Sequence, residues 1–259
     1  VALVLATAGT AAANDWIEIF RPRQVAPVEV VAGDLVALPD LHAYGELTVD
    51  GDPELRRVAD AASAVAETGI DVPEVTTLPR GISGAPVYSV TGEIGATFTF
   101  SADAAQAAAG GEGALRPEIA ASLDGTRVHL AAGPAVVQEW SSDAGVPALV
   151  VARAVAPSAS SSGAPFELLR DHLLSLPGLP EDVAAQLRRF AADGSTLPIP
   201  VPAELVTTSS ADVGGVTATV LSTRDRTMAA VVWVDGGVVT AVAGSLDAAE
   251  VLSIARGLR

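Results

Sequence analysis

Two runs of small and β-branched residues, Ala229–Val234 and Val238–Ala243, face each other across Asp235-Gly236, and this stretch leaves the chain the least choice. Alternating residues of that kind fit a half-buried strand, and an Asp-Gly step accepts the positive φ angles of a two-residue reversal. An antiparallel hairpin follows. A further strand is expected over Val216–Ser222. Ser245 then opens SLDAAEVLSIARGL as an N-cap, with Asp247 and Glu250 in the positive first turns and Leu246, Val251, Leu252 and Ile254 on one face. The C-terminal part therefore reads as a meander closed by a helix packed on it.

Upstream segments extend this picture. Pro53–Thr68 has an early Pro, a nearby Glu and apolar Leu55, Val58, Ala62 and Val65 at helical spacing, and it stops at Gly69. Val87 and Ser89, then Ala96, Phe98 and Phe100, alternate on either side of Gly92, which predicts a β-hairpin. A helix over Ala104–Ala109, capped by Ser101 or Asp103, follows it. Beyond Gly110–Gly113, LDGTRVHLAAGPAVVQEWSS and PALVVARAVAP supply extended runs divided at Gly133-Pro134 and at Ser141–Gly145. Ser158–Ser162 reads as a small polar linker. Past it, Leu168, Leu169, Leu173 and Leu174 fit one helix and Val183, Leu187 and Phe190 a second, separated by Pro177-Gly178 and Pro180. Strand runs with helices at their ends and few βα alternations predict an α+β fold. Its expected form is a curved antiparallel sheet with helices packed on one face and a helical-hairpin insertion at 163–193.

With 259 residues, 49% of them hydrophobic, the chain can bury a sizeable core. Its 31 acidic and 15 basic residues leave a net charge of −16, which repels phosphate backbones and anionic headgroups, so no nucleic-acid partner is expected. Every basic residue is Arg, a mark of GC-rich coding rather than of function. The absence of cysteine excludes disulfides, thiolate metal sites and cysteine nucleophiles.

Val1–Ala13 is uncharged and runs through Asn14 and Asp15 into Trp16, Ile17, Ile19 and Phe20 before Arg21, the pattern of a membrane end with an aromatic interface. These 13 residues fall short of the about 20 that a bilayer core requires, so the span is expected to start before residue 1. One reading is a retained transmembrane helix. Another is a signal peptide with a small-residue site around Ala11 and Ala13. A third is an element of an ordinary soluble domain, which needs Trp16–Phe20 to pack inside. The expected division is an anchor or signal end at 1–20, an extended tether and first strand at 21–47, and a folded extracytoplasmic domain at 48–259.

The run VGGVTATV, with AVVWVDGGVVTAVAGSLDAAEVLSIARGL after it, resembles the DUF4367-type domain found outside the membrane in bacterial anti-sigma-factor-like and lipoprotein-like proteins. LDGTRVHLAAGPAVVQEW resembles the preceding strands, so the likeness covers the second half. The juncture of Asp15, Trp16, Ile19, Phe20, Arg21, Pro22 and Val25–Val28 resembles that of actinobacterial single-pass proteins. The resemblance implies an extracytoplasmic sheet module that senses envelope conditions or binds an apolar ligand or partner, since related folds include lipoprotein-carrier-like half barrels.

Catalytic patterns are few. Gly81-Ile82-Ser83-Gly84 lacks the second half of a nucleophile elbow and reads as a tight turn. His42, His129 and His172 fall outside any spacing that places two imidazoles on one helix face. Glu181-Asp182 and Asp50-Asp52 lack a calcium loop, and Gly110–Gly113 and Gly214-Gly215 read as turns. No cofactor or metal is expected. Trp140 and Trp233 lie on strands where an indole faces either the core or a groove. Leu173, Leu174, Leu176 and Leu179, with Pro177 and Pro180, make an apolar hinge suited to a groove or to plain helix packing. The expected function is a membrane-tethered sensor or regulatory domain acting on a protein partner. A carrier of a lipid or other apolar ligand is the alternative, and an enzyme with a site assembled from distant residues is the third reading.

Overall fold

The computed structural model describes residues 16–31, 41–108, 121–142, 147–164, 168, 171, 181–190 and 194–258. Within it the run over 87–100 is one bent strand, which corrects the expected hairpin. Its first part, β5 (Val87–Thr91), pairs with β8 (Ala135–Ser141), and its second, β6 (Ile94–Phe100), pairs with β7 (Arg127–Ala132). Thr91 lies opposite Ala135 and Ile94 opposite Ala132, so the register continues across Gly92-Glu93. The same continuity joins β8 to β9 (Pro147–Val155) and β7 to β10 (Ser158–Ser161), with Ala135 opposite Ala154 and Ala131 opposite Ser158. Gly92-Glu93, Gly133-Pro134 and Ala156-Pro157 thus form one corner, where the strands pass from an eight-stranded into a five-stranded sheet. A Cβ on Gly133, which has φ +79°, would stand 3.0 Å from the Gly92 carbonyl oxygen. A glycine among alternating residues reads locally as a reversal, but here it frees the backbone to bend while pairing continues.

The eight-stranded sheet is antiparallel, in the order β12 (Val206–Val213), β13 (Val216–Thr223), β14 (Ala229–Asp235), β15 (Val238–Gly244), β9, β8, β5 and β4 (Arg56–Val58). The expected β14–β15 hairpin turns at Gly236-Gly237, with φ +56° and +81°, and Gly214-Gly215 turns β12 into β13. One face carries both α1 (Ala61–Thr68), through Ala64 against Val90 and Val136, and α4 (Ala248–Gly257), through Val251, Ile254 and Ala255 against Leu149, Val151, Val231 and Val242. The first helix starts at Ala61 rather than near Pro53, because Arg56–Val58 is drawn into the sheet edge and Asp60 takes the cap, accepting from Ser63 N at 2.8 Å. The last is capped by Asp247 instead of Ser245, in a reciprocal box with Glu250.

In the five-stranded sheet, β1 (Ile17–Phe20) and β3 (Gly45–Gly51) flank β10, β7 and β6. Ser158–Ser161, expected as linker, is therefore an interior strand, and buried Ser161 donates its hydroxyl to the Ala164 carbonyl at 2.9 Å. Phe98, Phe100 and Val128 pack with Tyr44, Ala105, Leu123, Ala164 and Leu168 on one side of it. Ala105 belongs to α2 (Ala102–Ala108), where Ser101 Oγ accepts from Ala104 N at 3.2 Å, one of the two expected caps.

The expected tether is also corrected. β2 (Gln24–Val30) pairs in parallel with β11 (Thr196–Pro202). β2 covers β13 and β14 on the side away from α4, where Thr219 Oγ1 donates to the Val25 carbonyl at 3.2 Å. Pro22, Val28, Val30 and Val201 are buried. Outside this pair lies α3 (Glu181–Phe190), whose Gln186 amide accepts from Glu29 N and donates to Glu29 O, each at 2.9 Å. The folded body thus begins no later than Ile17, well before residue 48, because strand pairing starts there and Pro22 is buried soon after. Segments 1–15 and 32–40 lie outside the described residues. No helix among the described residues is long and apolar enough to cross a membrane.

Candidate functional site

Cross-strand partners share a face of a sheet, and so do residues two apart on one strand. Thr48, Thr97, His129, Ser160 and Glu18 stand opposite one another along the five-stranded sheet, on the face turned away from Phe98 and Val128. Glu46, Thr99 and Arg127 form the next row, and Asp50 faces Gly95 on the other side. This face has an aromatic centre. Half-buried Trp16 has the Arg127 guanidinium carbon 5.3 Å from its ring centroid. The His129 ring meets it edge-on, with centroids 6.1 Å apart and planes at 66°. His129 Nδ1 lies 3.1 Å from Thr97 Oγ1, so a hydroxyl fixes the imidazole. Gly95 leaves the space these groups need. A Cβ there would lie 2.5 Å from Asp50 Oδ2 and 3.3 Å from His129 Cε1.

An indole with an arginine across its ring offers rigid apolar area and a multiply donating cation together. Such groups dominate binding energy where proteins meet. Strand pairing holds Arg127 and His129 in place, Trp16 directly precedes β1, and acidic Glu18, Glu46 and Asp50 surround them.

Carboxylates with shifted acidity lie elsewhere, in structural roles. Asp60 is held below its ordinary value, first by the backbone hydrogen bond from Ser63. Asp225 is lowered by the Thr223 hydroxyl, then by the backbone and hydroxyl of Thr227. Glu67 is lowered by its hydrogen bond and charge interaction with Arg56.

Of the groove residues expected from sequence, Trp140 and Trp233 are only 4% and 7% exposed, and both belong to the core beneath α4. An edge of Trp233 also lines an open cleft of about 280 Å³ with Arg153, Asp71 and Thr240. Leu173, Leu174, Leu176, Leu179 and His172 lie outside the described residues. His42 is exposed in the 3-10 turn Leu41–Tyr44. Gly81 and Gly84, at φ +82° and +84°, make the turn expected of them. Sequence reading missed the cluster itself, since it treated His129 as solitary and Trp16 as a membrane marker. The available signal was local to β7, where Arg127 and His129 alternate with Val128 and Leu130 and so must share a face. No known protein family, curated protein or solved structure matches the chain significantly.

Proposed function

We propose that this chain is a non-enzymatic regulatory domain, held outside the membrane by its N-terminal apolar segment, that binds a protein through the Trp16–Arg127–His129 face. The observation that carries the reading is the rigid aromatic, cation and imidazole cluster at the centre of an otherwise polar sheet face. The acidic rim suits a partner with a basic surround. The proposed anchor immediately precedes Trp16 in the sequence and so holds this face near the membrane surface. The sheet bent at a three-strand corner and the meander closed by α4 support kinship with DUF4367-type, anti-sigma-factor-like domains and with lipoprotein-carrier-like half barrels. For the carrier reading, the apolar hinge of its groove at 173–179 lies outside the described residues, while Trp140 and all but an edge of Trp233 are packed in the core.

A photo-crosslinking residue placed at Thr48 in living cells tests the proposal. A single protein adduct is expected, lost in Trp16→Ala and in Arg127→Ala, while the same probe at Leu130 on the opposite face gives none. Adducts indifferent to Trp16→Ala sink the interface. Deleting Val1–Ala13 is expected to move the chain from the membrane pellet to the supernatant, and a chain soluble with the segment intact would sink the tether.

A further inference from the structure

The sheet edges are treated unequally by the sequence. Strand β11 carries Pro198, Pro200 and Pro202, while Leu197, Ile199 and Val201 between them supply donors toward β2. Alternate residues point opposite ways, so the prolines fall on the outer side and leave that edge without a donor. Strand β1 has 4 residues and a bulge between Glu18 and Phe20, and β4 has 3. Strand β3 has 7 residues and carries Glu46 and Asp50. Strand β12 carries a single charge, Asp212, and none of the other protections. It is 8 residues long, without proline, in unbroken register with β13 from Val206 opposite Thr223 to Val213 opposite Val216.

The two-residue Gly214-Gly215 turn makes Val213 and Val216 a hydrogen-bonded pair. Val213, Ala211, Ser209 and Thr207 therefore turn their backbone groups to β13, while Asp212, Ser210, Thr208 and Val206 turn theirs outward. Arg256 Nε donating to the Asp212 carbonyl at 2.9 Å agrees with that parity. No strand among the described residues pairs with this side.

We infer that β12 is a docking edge for a second copy of this chain, paired antiparallel about a two-fold axis at Ser209. With Ser209 opposite its counterpart, Thr208 meets Ser210 and Val206 meets Asp212. The outward groups then meet as hydrogen-bonded pairs, small hydroxyl side chains face one another, and no like charges are opposed. Asp212 of each copy comes opposite Val206 of the other, so no carboxylate on the strand faces another across the seam. The same operation on β3 about Thr48 sets Glu46 opposite Asp50, and like charges directly across a sheet repel. In a chain of net charge −16, an edge that opposes no like charges is what self-association requires.

The chain has no cysteine, so Ser209→Cys gives a single reporter. Opposed residues of a non-hydrogen-bonded pair have Cα atoms about 4.5 Å apart, within reach of a disulfide. The wild-type chain is expected to sediment as a dimer, and Ser209→Cys to oxidise to a covalent dimer at least about tenfold faster than Thr48→Cys on β3. Thr208→Lys combined with Ser210→Lys opposes lysines across the seam and leaves the β13 hydrogen bonds in place. That variant is expected to be monomeric with an unchanged circular dichroism spectrum. A monomeric wild-type chain, which would leave β12 to some other strand, overturns the inference. So do equal oxidation rates at the two positions or a dimeric double-lysine variant that remains folded.

Discussion

An added methyl group reports how closely the strands approach at individual residues. A Cβ on Gly244 would lie 2.4 Å from the Ala148 carbonyl oxygen, a backbone atom held at the end of the β15–β9 ladder by Ser245 N, which donates to it at 3.0 Å. The obstacles at Gly95, by contrast, are side chains alone: the end of exposed Asp50, which is free to swing aside, and His129 Cε1 at 3.3 Å, which need give only a few tenths of an ångström. Gly244→Ala is therefore expected to cost about 1–3 kcal/mol in urea titrations, and Gly95→Ala far less. Equal losses would mean that the Asp50 carboxylate is as fixed as a backbone oxygen. Asp225 gives a second test at this scale. It accepts from Thr223 Oγ1 at 2.6 Å, Thr227 Oγ1 at 2.8 Å and Thr227 N at 3.1 Å, which lowers its folded-state pKa. A depressed carboxylate contributes stability that is full above its unfolded pKa and is lost as the pH falls through its folded value. Asp225→Asn is thus expected to lower Tm at neutral pH, with the gap to wild type closing below the ordinary carboxylate range. A gap constant with pH would assign the loss to geometry instead of charge.

At the scale of elements, pairing partners decide what a segment becomes. Pro198, Pro200 and Pro202 are compatible with a strand because β2 needs donors only from the residues between them. Pro200→Ala returns a donor to the outer edge. It is expected to leave the fold intact while light scattering shows new concentration-dependent association, and unchanged scattering would mean that the prolines do not guard the edge. The same dependence explains which elements were legible in the sequence. The β14–β15 hairpin and α4 follow from short-range alternation, glycines and capping, and so do the breaks that separate β7, β8 and β9. β10 was not legible, because SASS becomes a strand only by lying between β1 and β7. Nor were β2 and β11, whose partners are far apart in the chain, since strand formation measures packing and pairing more than backbone preference. The Trp16–Arg127–His129 cluster was illegible for a related reason. Trp16 and His129 meet only because β10 brings β1 beside β7, and no local spacing records that.

For the whole molecule, the corner at Gly92, Gly133 and Ala156 has a thermodynamic consequence. Three strands run through both sheets in a single register, so neither sheet can lose its pairing without releasing chain that the other holds. The two sheets are therefore expected to unfold as one cooperative unit, although their cores are separate clusters. The tryptophans are placed to test this, with Trp16 on the five-stranded sheet and Trp140 and Trp233 in the eight-stranded one. Trp16→Phe leaves indoles only in the larger sheet, and Trp140→Phe with Trp233→Phe leaves one only in the smaller. Each variant is compared with its own far-UV circular dichroism in urea, so any stability lost to the substitutions cancels. Coincident curves in both variants are the expected outcome. A Trp16 transition that precedes the circular dichroism change would show that the corner is a hinge between independently stable sheets, leaving the Trp16 face free to open without the rest of the molecule.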